Sequence, residues 1–274
     1  MIDIVIPIYN AFDELKDCLK SVENNLEKYI RVILINDAST DERIDSYLKK
    51  KAEINAWLYI KHEVNQGFVK TANEGLRLSG DHTILLNSDT IVTRNWLKAF
   101  ERAIVSVGNL GTATPWSNNA EICSFPCFLK NQPVPQNLDE ISETIFESHQ
   151  PEYPEIPTAV GFCMLITSLA KEKVGYFDEE HFGLGYGEEN DYSLRISKAG
   201  LLNVLCDNAY VAHIGNKSFS DLGLKPNEST MQRLLQKHPD FLLKIQRYIE
   251  NDSLSGLREK LLQRINNSVY KFLI

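Results

Sequence analysis

Within residues 1–107 a short apolar run followed by apolar residues at helical spacing occurs four times in succession. Ile2 to Tyr9, Arg31 to Asn36, Trp57 to Lys61 and Ile84 to Leu86 have the length and β-rich composition of strands. The last is apolar without alternation, as a strand covered on both faces would be. After the first strand, Leu15, Cys18, Leu19, Val22 and Leu26 share one helical face. Ile44, Tyr47 and Leu48 do so after the second, and Val69, Ala72 and Leu76 after the third. A further helix is expected from about Trp96 to Val107. Repeated strand–helix units predict an α/β chain with a Rossmann-like, mostly parallel sheet flanked by helices.

Ligands of open α/β sheets bind at the carboxyl ends of the strands. The polar residues that follow each apolar run are therefore the first site candidates. Asn87, Ser88 and Asp89 emerge after the fourth strand. A carboxylate there suits Mg²⁺ or Mn²⁺, hard cations that also accept diphosphate oxygens. The competing role is a cap for the helix that Thr93 or Asn95 begins. Asp37 opens a turn after the second strand, and Asn65-Gln66-Gly67-Phe68 forms another after the third. The turn after the first strand, Pro7-Ile8-Tyr9-Asn10-Ala11-Phe12, has no glycine. That excludes a nicotinamide dinucleotide, whose pyrophosphate needs the close backbone approach of G-x-G-x-x-G. It also argues against a nucleotidyltransferase, for which a glycine-rich phosphate loop is expected.

Charge and composition exclude other classes. The formal net charge of −8 makes a nucleic-acid backbone an unsuitable partner. No run approaches the roughly 18 apolar residues of a membrane span. The N-terminus enters a strand without a basic segment, so no signal peptide is expected and a cytoplasmic location is. Of five cysteines, Cys18, Cys163 and Cys206 sit in apolar patterns as small core residues. Cys123 and Cys127 lack the second pair or nearby histidine that zinc requires.

Beyond residue 107 the pattern is less regular. Pro115 to Asn119 is polar and turn-like. Residues 129–157 hold most of the prolines and one helix, expected at Asp139 to Ser148. Thr158 to Thr167 has strand character. A glycine-rich loop, Phe182 to Gly187, leads into Glu188-Glu189-Asn190-Asp191 and a helix closed by Gly200. Asn203 to His213 is expected to form two short strands, and the chain from Pro226 onward to be helical.

In this order, several segments resemble the motifs of a family 2 glycosyltransferase, an inverting, bacterial-type enzyme with the GT-A fold. Pro7-Ile8-Tyr9-Asn10 is similar to the family's opening strand motif, and Ile35 to Asp41 to its D-D-G-S-T-D turn. Asn65-Gln66-Gly67-Phe68 resembles its N-x-G turn, and Asn87-Ser88-Asp89 stands where its D-x-D metal motif does. Gly161 to Leu165 resembles the strand beneath the acceptor site, Gly187 to Asp191 the E-D region, and His213 to Phe219 a downstream histidine motif. The resemblance spans about residues 2–220 and departs from the family at Asn36 and Asn87, where aspartates are usual, and at Glu189, where Asp is usual.

The resemblance implies a catalytic domain at 1–220, with a nucleotide-sugar half at about 1–115 and an acceptor half at about 116–220; beyond it, apolar spacing suggests a helical extension at 221–274. It implies transfer from a UDP- or dTDP-sugar to a hydroxyl of a glycan, lipid-linked or protein-linked glycan acceptor, in polysaccharide or glycoprotein glycan biosynthesis. The expected donor contacts are Pro7, Tyr9, Asn10, Asp37, Asn65, Gly67, Asn87 and Ser88. Asp89 and His213 are the expected ligands of Mn²⁺ or Mg²⁺. Glu189 is the expected base, with Asp191 and Glu188 as the other candidates. Each has a structural alternative: a helix cap for Asp37, a hydrogen-bonded histidine for His213, an i,i+4 pair with Arg195 for Asp191, and helix-dipole stabilisation for all three acids. On a helix Glu188 and Asp191 share a face and Glu189 points about 100° away. The alternative function is a non-catalytic nucleotide-sugar-binding module. In the extension, Leu257, Leu261, Ile265 and Phe272 form a stripe, with Arg258, Lys260, Arg264 and Lys271 elsewhere. It is expected to pack on the catalytic domain or a second subunit in preference to peripheral contact with the inner face of a membrane.

Overall fold

The computed structural model describes residues 1–148, 150–183, 185–215 and 228–265. Its strands are β1 (Ile2–Ile8), β2 (Arg31–Asn36), β3 (Leu58–Lys61), β4 (His82–Leu86), β5 (Thr90–Val92), β6 (Leu110–Trp116), β7 (Cys163–Ile166) and β8 (Leu202–His213). They form one eight-stranded sheet in the order β3-β2-β1-β4-β7-β6-β8-β5. Only β7 and β5 run against the common direction. The helices are α1 (Phe12–Asn24), α2 (Glu42–Asn55), α3 (Phe68–Leu78), α4 (Trp96–Ser106), α5 (Leu138–Glu147), α6 (Ser168–Val174), α7 (Glu179–Phe182), α8 (Glu188–Lys198), α9 (Glu228–Lys237), α10 (Phe241–Asn251) and α11 (Ser255–Arg264).

Strand alternation sorts the core into two layers. Ile4, Ile6 and Ile8 of β1, Val32 and Leu34 of β2, and Ile84 and Leu86 of β4 face one layer. Val5, Ile33, Ile35 and Leu85 face the other. The first layer is closed by apolar faces of α1, α2, α4, α5 and α11, the second by α3, α6, α8 and α9. Leu257, Leu261 and Ile265 are buried in the first layer, and Leu234 and Phe241 in the second, so the C-terminal helices pack on the same sheet as the rest. Arg258 is buried with them, against the expectation that it lies off the stripe. Its guanidinium sits 4.6 Å from the Phe128 ring centroid and pairs with Asp252. Val269, Lys271 and Phe272 lie outside the described residues.

Three segments differ from expectation. The stretch from Thr158 to Thr167 yields a strand only at β7, because the Thr167 side chain caps α6 by accepting from Ala170 N. Asn203 to His213 lies within one 12-residue strand, whose shift between Pro115 and Trp116 of β6 lets it pair with β6 and then with β5. Between Asp89 and α4 stands β5, too short for its apolar pattern to declare itself. Asp89 is therefore no helix cap: α4 begins after Asn95.

Gly75 of α3 crosses β1 so closely that an added Cβ would lie 2.1 Å from Val5 Cγ1. Alanine is worth about 1 kcal/mol over glycine inside a helix, yet Val5 is β-branched, buried and unable to yield. Gly75→Ala should thus lower stability by about 1–3 kcal/mol, the usual cost of overpacking. Adding Val5→Ala should recover part of that loss in calorimetry; no recovery would put the strain elsewhere.

Candidate active site

Because β1, β2 and β4 run parallel, their carboxyl ends reach one edge together. There they open onto a cavity of about 760 Å³, within the usual range for small-ligand sites. Pro7, Tyr9, Asp37, Asn65, Gly67, Asn87, Ser88, Asp89, Glu188, Glu189 and His213 all line it. Asn10 and Asp191 do not.

Asp37 is buried and is not the cap of α2, which is Asp41. Its Oδ1 accepts from Gln66 N at 2.7 Å, its Oδ2 from Gly67 N at 2.9 Å, and His62 Nδ1 lies 2.7 Å from Oδ1. The turn after β3 is thereby tied to the end of β2, and Gly67, at φ 84°, is suited to it. Asn10 performs a similar service: its Oδ1 accepts from Thr40 N at 2.9 Å and Asp41 N at 3.3 Å, bracing the loop after β1 against that after β2. That bracing keeps Asn10 out of the cavity.

Asp89 and His213 meet across the antiparallel ladder of β5 and β8, with Asp89 Oδ1 3.5 Å from His213 Nε2. His213 Nδ1 donates to Asn119 O at 2.8 Å, and Phe162 stacks on the ring at 5.2 Å between centroids. The carbonyl thus sets the tautomer and leaves Nε2 turned to Asp89. Burial by itself would lower the imidazole's pKa, but the Asp89 carboxylate and the Asn119 carbonyl raise it above the usual value. Asn118 completes the support, with its Oδ1 accepting from His213 N at 2.9 Å. One carboxylate and one imidazole suit a divalent cation whose other ligands come from a diphosphate and water. No group of three or more His, Cys, Asp or Glu side chains able to hold a metal occurs among the described residues.

The start of α8 points end-on into the cavity, so Glu188, Glu189 and Asn190 all reach it. This differs from the sideways presentation that pairs Glu188 with Asp191. Burial raises both glutamate carboxyls, and the proximity of one charge to the other adds to the effect on Glu188. Glu188 Oε2 is buried and has no hydrogen-bond partner among the described residues. Asp191 faces away and is fully buried between Arg195 Nε at 2.8 Å, Lys237 Nζ at 2.7 Å and His238 Nε2 at 2.9 Å. Lys237 also pairs with Asp178. This network ties α9 to α7 and α8. The pairing with Arg195 follows from i,i+4 spacing; Lys237 and His238 lie too far along the chain for any pattern to connect them. Leu184 and residues 216–219, which extend two of the motifs, lie outside the described residues.

Residues 3–111 match the model of glycosyl transferase family 2. This part of the chain is similar to family 2 glycosyltransferases. Among curated proteins, the glycosyltransferase GlyA of Streptococcus pneumoniae is 29% identical over 105 residues, 38% of this chain and 15% of GlyA. The matched region spans 15% to 35% of the length of the first three such relatives. Among solved structures, GalNAc-T7 with UDP, GalNAc and Mn²⁺ superposes at a TM-score of 0.66 and 14% identity, covering 99% of this chain and 57% of that one. S. aureus TarS 1–349 in complex with UDP-GlcNAc gives 0.60 and 16%, covering 99% and 73%. At such identities the likeness is one of fold, and the fold is GT-A. No helix among the described residues is long and apolar enough to cross a membrane.

Asp191→Asn leaves the Arg195 and Lys237 cations facing a neutral amide, and should cost about 3–5 kcal/mol in denaturant unfolding, as breaking a buried charge network does. Burial pushes the Asp191 carboxyl up, but Lys237, His238 and Arg195 outweigh it and hold it below the usual carboxylate range. The contribution is therefore complete above about pH 4, the ordinary aspartate value, and is lost as pH falls through the lowered pKa. The variant's stability loss should accordingly shrink in strong acid; a loss that does not change with pH would refute the ionic origin.

Proposed function

We propose that the protein is a metal-dependent, inverting glycosyltransferase that moves a sugar from a UDP- or dTDP-sugar to a hydroxyl of a glycan or glycoconjugate, as in polysaccharide or glycoprotein glycan synthesis. The observation that carries this is one cavity holding both Asp89 with His213 and the paired carboxyls of Glu188 and Glu189. Asp37, Asn65 and Gly67 form the nucleobase end. The Asp37 Oδ2 accepts one backbone N–H and retains capacity for a pyrimidine N–H. Asp89 and His213 would hold Mn²⁺ or Mg²⁺, which neutralises charge on a departing diphosphate. Asn87, with Asp89 on the same short turn, adds a neutral amide oxygen or N–H.

Glu189 takes the proton of the acceptor hydroxyl as that oxygen bonds to the anomeric carbon and the bond to the diphosphate breaks. Attack from the face opposite the leaving group inverts the centre. A base must be ionised to act, so the raised Glu189 carboxyl predicts that kcat increases with pH through that pKa. Glu188 shares the proton of the pair. The acceptor enters on the side of Glu121, Ile122 and the apolar wall from α9 and α10, where Met231 and Leu242 are exposed. An intracellular reaction fits the nucleotide-sugar donor.

A panel of UDP- and dTDP-sugars, assayed for hydrolysis and transfer with and without Mn²⁺, tests the proposal. Turnover should need the metal and fall at least 100-fold in Asp89→Ala. Glu189→Gln should keep donor affinity and lose about 10²–10⁴-fold in kcat, the range for removing a general base. Donor binding without turnover under any condition would favour the non-catalytic module, a reading to which the neutral Asn36 and Asn87 lend some chemical support.

A further inference from the structure

We propose that His62 is a positioning residue for the nucleobase end of the site, acting as a doubly protonated bridge that fixes Asp37 and the turn bound to it. This rests on Asp37 contacting the base, as set out above. His62 lies just beyond β3, outside the cavity wall. Its Nδ1 is 2.7 Å from Asp37 Oδ1 and its Nε2 is 2.6 Å from Glu74 Oε2 on α3. Carboxylates only accept, so both ring nitrogens must donate for both contacts to stand, and that requires the imidazolium. A neutral ring has a single N–H and would turn a lone pair on one of the two acids.

The consequence reaches the cavity through Asp37. Its Oδ1 is held by His62 and by Gln66 N, its Oδ2 by Gly67 N. The same carboxylate therefore orients the 65–67 turn and the acceptor atom left for a base. Loss of the His62 proton leaves either Asp37 or Glu74 without its donor, and loosens the turn when the loss falls on Asp37. Asp37 and Glu74 are the charged groups that meet the ring from β2 and α3 among the described residues; Lys61, its sequence neighbour, pairs with Asp45 instead. Burial disfavours the charged ring, but the two carboxylates outweigh it and raise its pKa above the ordinary histidine value. The sign follows: the bridge is intact below about pH 6.5, the unperturbed value, and fails as pH rises through the raised pKa.

Calorimetric titration of UDP and of pyrophosphate into the full chain, at fixed Mg²⁺ between pH 5.5 and 9, separates base from phosphate. His62→Gln should weaken UDP about tenfold at pH 6, flatten the fall of UDP affinity at higher pH, and leave pyrophosphate unchanged. Glu74→Gln removes one acid from the bridge without touching the cavity, and should move the fall in UDP affinity to lower pH; this half-buried site serves should the His62 variant fail to fold. Asp37→Asn checks the underlying assignment and should weaken UDP alone. If Asp37→Asn weakens UDP while the His62 and Glu74 variants keep the wild-type pH profile, the bridge has no positioning role and the nucleobase assignment survives. If Asp37→Asn binds UDP as wild type does, that assignment fails and the role of His62 fails with it.

Discussion

Burial of the central strands on both faces governs the rest of the structure. Ile4 and Val5, Leu34 and Ile35, Ile84 and Leu85 point alternately into two apolar layers. Within those layers an unpaired polar group is costly. Chemistry is therefore displaced to the carboxyl ends of the strands, where the chain leaves the sheet. Parallel pairing of β2, β1 and β4 gathers Asp37, Tyr9 and Asp89 at one edge. The reversed strands serve the same end: β5 and β8 run antiparallel, which places Thr90 opposite His213 and sets the histidine beside Asp89.

At the other side of the cavity, buried charge takes over from apolar packing. The first turn of α8 carries three acids, and their surroundings divide them. Glu188 and Glu189 meet the cavity without a compensating cation among their hydrogen bonds to the described residues, and their carboxyls rise. Asp191, in the same turn, meets Arg195, Lys237 and His238 and is lowered. Opposite shifts in neighbouring acids separate two carboxyls suited to carrying a proton from one suited to ionic attachment. The attachment joins the C-terminal helices to the first turn of α8, so α9 is part of the cavity's support as well as its wall.

The sheet was legible because its strands are apolar and its helices amphipathic, which is a local property. The cavity was legible at its strand ends and at Glu188 and Glu189. The sequence left open whether Asp37 and Asp89 were helix caps, since an aspartate before a helix looks the same in either role; geometry assigns capping to Asp41 and starts α4 after Asn95. Asn10 and Asp191 carry the right motif positions but turn to bracing, a choice fixed by partners up to 47 residues away. His62, Asn118 and Asn119 escaped notice for the same reason. Each touches a site residue only after folding, though all three stand at strand ends on the edge where a site was expected.

The two asparagines that replace aspartates have different consequences. At position 36 the amide fits better than an acid would. Asn36 Oδ1 accepts from Ser39 N at 3.0 Å, while Nδ2 donates to the Tyr59 oxygen at 3.2 Å, freeing the Tyr59 hydroxyl to donate to Asp45 at 2.7 Å. That hydroxyl is the leading cause of an Asp45 carboxyl lowered to about 2. An aspartate at 36 has no hydrogen to give, and would compete with Asp45 for the same proton. At position 87 the change falls inside the cavity, and it removes one of two negative charges from the turn that, in the proposed reaction, would face a diphosphate. A lone carboxylate attracts a divalent cation less, but it also repels phosphates less, so in the proposed reaction metal and donor would depend on each other for binding. Under the proposed function the neutral residue would shift cation binding from the free protein to the donor complex, with Asp89 and the tautomer-fixed His213 supplying an oxygen and a nitrogen where the two would meet.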